Sequence, residues 1–198
     1  LDTLADVMLN RRTVKQFLPQ PVERTTLEKL IELAVWAPNH RLNEPWRFYV
    51  LGDGARAQLA KIAAAITEGK ILAAGGKTAT AERKGAEAGA AWQSVPTLLY
   101  ITYITDANPE ISLENYGAVC CAIQNFTLAA HAAGIGTSWS SGAVAAAPAL
   151  HTLVGADASE QMAGLIRVGY LDPNLKPGSS RRSPGSNYTR WVDDGAVA

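Results

Sequence analysis

The chain has 198 residues, of which 18 are lysine or arginine and 18 are aspartate or glutamate, so its formal net charge is zero. With 47% hydrophobic residues it can bury a core of its own, which favours one compact domain over residues 1–198 and excludes a disordered chain. Zero net charge provides no general field for attracting nucleic acid or an anionic membrane, so neither is expected as a partner. Any anion that this protein binds must be held by a local group of cations.

The two cysteines, Cys120 and Cys121, are adjacent in the sequence. Neighbouring side chains on a helix point about 100° apart, so the pair offers neither a disulfide framework nor a CxxC site, and a reducing cytoplasm is the expected location. No basic start followed by an apolar run follows Leu1, so no export signal is expected. The apolar stretch at 117–139 approaches membrane-spanning length, but two amides and a histidine in it favour a buried helix.

Apolar residues repeat at helical spacing over residues 2–10 and again over 25–36, where Thr25 and Glu28 predict a capping box. Further elements are predicted in this order: a strand at 46–51, a helix at 55–66, a strand at 97–104, a helix at 114–133, a helix from Pro148 and a strand at 163–171. Residues 69–94 give no clear pattern, and the Pro-, Gly- and Ser-rich tail at 172–198 predicts an arm lying across a surface. This alternation by itself favours an open sheet with helices on both sides.

The usual arrangements for metal and hydrolytic chemistry are absent from the sequence. His40, His131 and His151 are far apart and have no ligand-spaced Cys or carboxylate neighbours, so no metal site is expected. The stretch "GTSWSSG" is not a G-x-S-x-G nucleophile motif. The overlapping "GIGTSW" lacks the third glycine of a dinucleotide fingerprint and closes a predicted helix where that fingerprint would open one. No side chain is singled out as a nucleophile or a general acid.

The strongest chemical signal is "NRRTVKQF", which groups Arg11, Arg12 and Lys15 in a chain without net charge. If the chain is extended after the two arginines, Thr13, Lys15 and Phe17 face the same way. A hydroxyl, a cation and a ring then share one side, and a neighbouring arginine provides a fork for a phosphate group. The alternative is a helix C-terminus whose cations complement the helix dipole.

Four stretches, in this order, carry a resemblance that runs from about residue 4 to residue 176: "RRTVKQF", "APNHRLNEPWRFYVL", "YGAVCCAIQNFTLAAHAAGIGTSWSSG" and "VGYLDPNLKP". Together they resemble the nitroreductase family of FMN-dependent oxidoreductases, particularly its short members. The resemblance implies an α+β fold with a central mixed, mostly antiparallel sheet flanked by helices, in place of the open α/β sheet. It also implies an intertwined homodimer with FMN at the subunit interface.

By this resemblance the cation group holds the flavin. Arg11 is implied as a phosphate ligand, Arg12 and Thr13 as contacts to the ribityl chain or ring edge, and Lys15 as the cation near the pyrimidine end. A positive charge at that end stabilises the anionic reduced flavin and favours hydride acceptance. The local charge of the sequence thus matches an anionic cofactor.

The resemblance implies six further cofactor contacts: Trp36 and His40 from the partner subunit, Ser140, Ser141 and Gly142 from a segment over the flavin, and Arg182 from the C-terminal arm. The backbone N–H groups of Ser141 and Gly142 are expected to bond the hydride-accepting nitrogen and the neighbouring carbonyl. Three of the six have simpler alternatives, namely a core tryptophan, a solvent-facing loop histidine and a plain turn glycine.

The loop that follows the second helix departs from the family pattern. Leu42 stands where longer relatives have Asn, Asn43 comes one place later, and Glu44 stands where Gln is usual. These changes weaken the expected hydrogen bond from the loop to the flavin ring. Residues 69–94 are expected to cover the pocket and to decide the electron acceptor.

The function that follows is FMN-dependent NAD(P)H oxidation by ping-pong hydride transfer to a nitroaromatic, a quinone or a similar acceptor. Because the cofactor supplies the reactivity, no catalytic side chain is required beyond electrostatic tuning by Lys15. The alternatives are other flavin chemistry on the same scaffold, namely dehydrogenation, dehalogenation or flavin consumption, and a flavin-binding protein without turnover.

Overall fold

The computed structural model describes residues 2–174 and 178–192, and the structural statements below refer to these residues. Its α-helices are α1 (Asp2–Asn10), α2 (Arg24–Ala34), α3 (Asp53–Ala73), α4 (Thr78–Gln93), α5 (Pro109–Ala132) and α6 (Pro148–Leu153). Its strands are β1 (Trp46–Val50), β2 (Thr97–Ile104), β3 (Ile135–Ser140) and β4 (Glu160–Tyr170). Two short 3-10 helices lie at His40–Leu42 and Gly185–Tyr188.

The four strands form one sheet in the order β1-β2-β4-β3, and every neighbouring pair is antiparallel. An apolar cluster lies on each face: one packs the sheet against α2 and α5, and the other packs it against α3, α4 and α6. The central strand β2 serves both clusters, with Leu99 and Ile101 in the first and Leu98 and Tyr100 in the second. Successive side chains of a strand point to opposite faces, so a continuous apolar run is what a doubly covered strand requires.

The predicted α+β architecture is confirmed, and the open α/β sheet that alternation alone favoured is wrong, because every pair of neighbouring strands is antiparallel. The capping box at Thr25 is also wrong: α2 begins at Arg24, Glu23 occupies its N-cap, and no side chain caps it. Glu28 instead accepts a hydrogen bond from Arg24 over 2.7 Å. The predicted helices and strands otherwise form, with longer bounds for α3 and α5.

Two segments gain structure that the sequence pattern did not indicate. Residues 135–140, for which the sequence predicted no element, form the edge strand β3, because pairing with β4 stabilises a stretch of mostly small residues. Residues 69–94 comprise the end of α3 and the whole of α4, and these two helices pack together as a helical hairpin. Although α5 has 24 residues, no helix within the described ranges is both long and apolar enough to cross a bilayer.

A polar network joins three strands of the sheet. Glu160 of β4 accepts hydrogen bonds from the Tyr49 hydroxyl on β1, at 2.9 Å, and from the Thr102 hydroxyl on β2. Nearby, the Tyr100 hydroxyl lies 3.3 Å from Nδ1 of His151 in α6. Burial, together with the negative charge of Glu160, raises the pKa of Tyr100 to about 12.

Candidate functional site

The segment that follows α1 lies against the outer edge of β3. Arg11 closes the helix, since its N–H donates to the Val7 carbonyl over 3.0 Å. The Val14 N–H then donates to the Thr137 carbonyl over 2.9 Å, and Thr13 forms an isolated parallel bridge with Thr137. Because this bridge covers the edge of β3, the side chains of the predicted cofactor segment are presented beside the sheet.

Phe17 anchors the far end of this segment over two glycines that face each other across β3 and β4. Gly136 pairs with Gly169. A Cβ atom on Gly169 would lie 2.8 Å from the Cβ of Phe17, and one on Gly136 would lie 3.2 Å from the Cβ of Val14. Val14 and Phe17 therefore both pack inward. The prediction that Phe17 shares the exposed side with the hydroxyl and the cation is wrong, because a single bridge does not enforce strand alternation.

Two clefts adjoin the segment. The first has a volume of about 580 Å³ and is lined by residues 10–16, His131, residues 135–137, Leu171, Asp172, Pro173 and Gly178. The second has a volume of about 450 Å³ and is lined by Arg11, Thr13, Tyr116, Gln124, Thr127, Thr137, Trp139 and Ser141. Both clefts share Arg11, Thr13 and Thr137, so they meet at the segment that the sequence indicated.

The cations of the first cleft are of two kinds. Arg11 and Lys15 form no ion pair with any residue that the structure describes. The carboxylate among the lining residues, Asp172, already accepts hydrogen bonds from the backbone and side-chain amides of Asn174. Uncompensated cations lining a concave surface attract an anion. This cleft is therefore suited to a ligand with a phosphate or carboxylate group.

Arg12 differs from its neighbours because the protein itself uses its guanidinium. Its Nη1 donates to the carbonyls of Leu9, at 2.6 Å, and Arg11, at 2.9 Å, and its Nε donates to the carbonyl of Gly178 at 3.0 Å. The Leu9 and Arg11 carbonyls lie at the end of α1, where a helix leaves carbonyls without helical partners, whereas Gly178 belongs to the C-terminal arm. The helix-terminus role that the sequence left open thus applies to Arg12.

The remaining predicted contacts lie apart from the two clefts, except Ser141. Trp36 is 79% exposed, so the core-tryptophan alternative is wrong, and His40 is paired with Glu114, with Nδ1 and Oε2 3.0 Å apart. Arg182 is exposed and donates to Ser180 and to the Arg181 carbonyl. These residues do not line the clefts of a single chain. Their roles as cofactor contacts stay predictions.

The turn after β3 lies at the rim of the second cleft through Ser141. Ser140 does not line this cleft, and its Oγ accepts a hydrogen bond from Arg167 over 3.1 Å. Gly142 is exposed, and its carbonyl accepts from the Ala146 N–H over 3.0 Å. The backbone N–H groups of Ser141 and Gly142 make no hydrogen bond to a described backbone group, which leaves them free to donate to a ligand.

Sequence reasoning missed the wall of the second cleft. Gln124 and Thr127 stand one helical turn apart on α5, while Thr137 and Trp139 share one face of β3. The periodicity of α5 offered a signal for the first pair, but the second pair required knowing that 135–140 is a strand. Residues 69–94, expected to cover the pocket, line neither cleft of the single chain.

A third cleft, of about 490 Å³, lies between α2 and the start of α3 and shares no lining residue with the other two. Its floor is apolar and its rim charges are paired, Arg24 with Glu28 and Arg56 with Asp53. Paired charges leave little net field for an anion. It is therefore a weaker candidate than the cation-lined clefts.

Fold and clefts together give an α+β protein with two adjoining clefts, both lined by Arg11, beside the edge of an antiparallel sheet. The sequence model of the Nitroreductase family matches residues 8–170. The chain belongs to the nitroreductase family, as the sequence resemblance predicted.

Relatives of known name and structure agree with this assignment. The chain is 31% identical over 182 residues to "Putative NAD(P)H nitroreductase YfhC" of Bacillus subtilis (strain 168), covering 91% of this chain and 90% of the relative. A crystal structure of a nitroreductase-like family protein from Bacillus cereus has a TM-score of 0.80 and 26% identity, covering 96% of each chain. A Desulfovibrio desulfuricans protein solved in complex with FMN has a TM-score of 0.69 and 22% identity, again covering 96% of each chain.

Proposed function

We propose that this protein passes hydride from NAD(P)H through FMN to a small acceptor such as a nitroaromatic or a quinone, in a ping-pong cycle. The observation that carries the proposal is the pair of cation-lined clefts at the edge of β3, in a chain of this family. As a member of the family, the chain is an NAD(P)H-dependent oxidoreductase that uses FMN. The acceptor, the ping-pong order and the individual residue roles are the proposed part.

The donor set of the clefts fits FMN. Its phosphate requires a cation that the protein has not already paired, and Arg11 meets that condition within the described chain. The polar ribityl chain requires hydroxyl or amide partners, which Thr13, Gln124 and Thr127 offer along the second cleft. These residues would bind and orient the cofactor. FMN, when bound, supplies the acceptance and donation of hydride.

Two features of the chain would act on the chemistry of the bound group. Lys15 is exposed in the first cleft and free of ion pairs in the described chain, so its charge is available to favour negative charge at the pyrimidine edge. The N–H groups of Ser141 and Gly142 would donate to the hydride-accepting nitrogen and to the neighbouring carbonyl. Both contributions come from fixed charges and dipoles, so the proposal needs no side chain as nucleophile.

A second copy of the chain would complete the site. α1 has no buried residue in the single chain, although Leu4, Met8 and Leu9 are apolar. The loop after α2 exposes Trp36 and holds Arg41, Leu42 and Glu44 at φ values of 68°, 53° and 46°. Such left-handed conformations are costly for residues with side chains and are retained where a function requires them. We propose that these surfaces meet in a homodimer and that Trp36 and His40 contact the partner's FMN.

The test begins with the purified protein, which should be yellow and release close to one FMN per chain. NADH and NADPH oxidation is then followed with and without a nitroaromatic or quinone. Acceptor-dependent turnover with parallel initial-rate lines supports the proposal. Bound FMN without turnover would point to a flavin-binding protein, turnover only with other acceptors would point to other flavin chemistry, and colourless protein that ignores added FMN would refute the site.

A further inference from the structure

Arg167 carries a charge that the proposed function does not use. It lies on the central strand β4, where its guanidinium carbon is 3.7 Å from the centre of the Trp92 ring in α4 and its Nη1 donates to Ser140 Oγ over 3.1 Å. No carboxylate of the described residues lies within ion-pair distance. Burial of the guanidinium lowers the pKa of Arg167.

A half-buried cation without a counter-ion lowers the stability of the folded state, because no opposite charge offsets the loss of its hydration. The contacts that Arg167 does make are directional: its guanidinium carbon lies over the Trp92 ring, and its Nη1 donates to one hydroxyl. They connect the end of α4 to the last residue of β3. This arrangement is better suited to holding geometry than to adding stability.

The end of β3 is held from both faces of the sheet. On one face the Trp139 indole N–H donates to the Ala163 carbonyl over 3.1 Å, and Gly164 leaves room for the ring, since a Cβ there would lie 2.2 Å from the indole nitrogen. On the other face the Ser140 hydroxyl is held by Arg167. Beyond these two anchors the chain enters the turn that carries Ser141 and Gly142.

We propose that Arg167 is a positioning residue, which fixes Ser140 against α4 and thereby sets the place of Ser141 at the rim of the second cleft and of the Gly142 backbone that follows it. This inference rests on the proposed function, because the N–H groups so placed are those expected to face the flavin. It also gives α4 a role in the site although α4 lines neither cleft of the single chain. Trp92 transmits the position of α4 to the turn through the arginine.

The test uses holoenzyme carrying Arg167→Met, Ser140→Ala or both, with Ser138→Ala and Arg47→Met as controls. Ser138 shares the strand and face of Ser140, and Arg47 is a strand arginine that donates to backbone carbonyls of Glu44 and Trp46. Arg167→Met should keep FMN but lower the rate of flavin reduction by about tenfold to a hundredfold, the scale expected for a misplaced group. The double variant should be no slower than Arg167→Met, because both changes remove one interaction.

Amide hydrogen exchange over residues 139–146 gives a second measurement that does not depend on turnover. Exchange at Ser141 and Gly142 should be faster in Arg167→Met and in Ser140→Ala than in wild type and the controls. If Arg167→Met fails to fold, Ser140→Ala carries both measurements. Unchanged exchange, an unchanged reduction rate or additive effects in the double variant would each overturn the inference. Absence of FMN and turnover in wild type would instead refute the proposed function, and exchange would still decide the role of Arg167.

Discussion

The Nε–H of Arg12 donates to the carbonyl of Gly178 across 3.0 Å and so ties the end of α1 to the C-terminal arm. This bond separates two arginines that are adjacent in the sequence and identical in chemistry. The Arg12 guanidinium donates hydrogen bonds to carbonyls of the protein itself. Arg11, in contrast, lines both clefts and forms no ion pair with described residues. Different consequences are expected when each is replaced.

Arg11→Ala should weaken FMN binding while the fold persists. Loss of a charge-assisted hydrogen bond costs roughly 1.5–3 kcal/mol, which corresponds to about a tenfold to hundredfold rise in the FMN dissociation constant. Arg12→Ala is the matched comparison and should lower the melting temperature of the apoprotein more than Arg11→Ala does. Flavin-fluorescence titration and thermal unfolding of both variants make the comparison. Equal FMN affinity of Arg11→Ala and wild type would assign Arg11 to the helix terminus instead.

Lys15→Met keeps the aliphatic stem and removes the charge. The positive charge meets little opposite charge while the flavin is oxidised and more once it is reduced, so its effect differs between the two redox states. The variant should bind oxidised FMN nearly normally, have a more negative midpoint potential and be reduced severalfold more slowly by NAD(P)H. Dye-equilibrium potentials and stopped-flow reduction measure the two effects. Should both match wild type, Lys15 is a surface cation only.

Leu9→Gln should weaken the proposed dimer. Leu9 is 71% exposed in the single chain and is the penultimate residue of α1. Burying a leucine contributes about 1.5–3 kcal/mol, so the dimer dissociation constant should rise by about tenfold or more, with FMN lost in parallel. Leu72→Gln is the control, since Leu72 is 47% exposed and is the penultimate residue of α3. Sedimentation velocity with absorbance of the flavin follows both; equal behaviour of the two variants would contradict the interface.

Tyr100→Phe should change how stability depends on alkaline pH. Tyr100 is 1% exposed, and its pKa is raised to about 12. A raised pKa means that the stabilisation is complete below the unfolded-state value near 10 and is lost as pH rises through the folded-state value. Wild type should therefore lose up to about 1.4 kcal/mol per pH unit more than the variant in this window. Urea unfolding at several pH values, with the exposed Tyr188→Phe as control, measures the slope. Identical slopes in wild type and Tyr100→Phe would refute this link.

The sequence predicted elements whose stabilising contacts have a local signature. The bounds of β2 follow from an uninterrupted apolar run, and those of α1 from helical spacing. The helix α4 was not predicted because its small residues are explained only by its contact with another helix. A Cβ on Gly89 would lie 2.8 Å from the Ala60 carbonyl oxygen of α3. Small residues that let two helices approach closely look like turn formers when one segment is considered alone.

The candidate site divides in the same way. Charge marked Arg11, Arg12 and Lys15 in the sequence, but nothing local distinguishes the arginine that is used internally from the one that is free. Thr137 and Trp139 line the second cleft because β3 pairs with β4, and this pairing could not be predicted from the sequence. Contacts that depend on a second chain, such as those proposed for Trp36, have no signature in one sequence beyond an apolar residue in a loop.

Gly136 and Gly169 leave the space that the Phe17 side chain occupies. The absence of a side chain at these two positions is therefore as strict a requirement as any polar contact of the site. A methyl group on Gly169 would lie 2.7 Å from Pro96 Cγ and 2.8 Å from the Cβ of Phe17. To relieve this clash, the Phe17 ring would have to move outward, and the cation-bearing segment that precedes Phe17 would move with it. Variants of this protein are therefore expected to tolerate the exchange of one cation for another along the cleft better than a larger side chain at Gly136 or Gly169. An engineer redirecting the acceptor preference would do well to leave both glycines untouched.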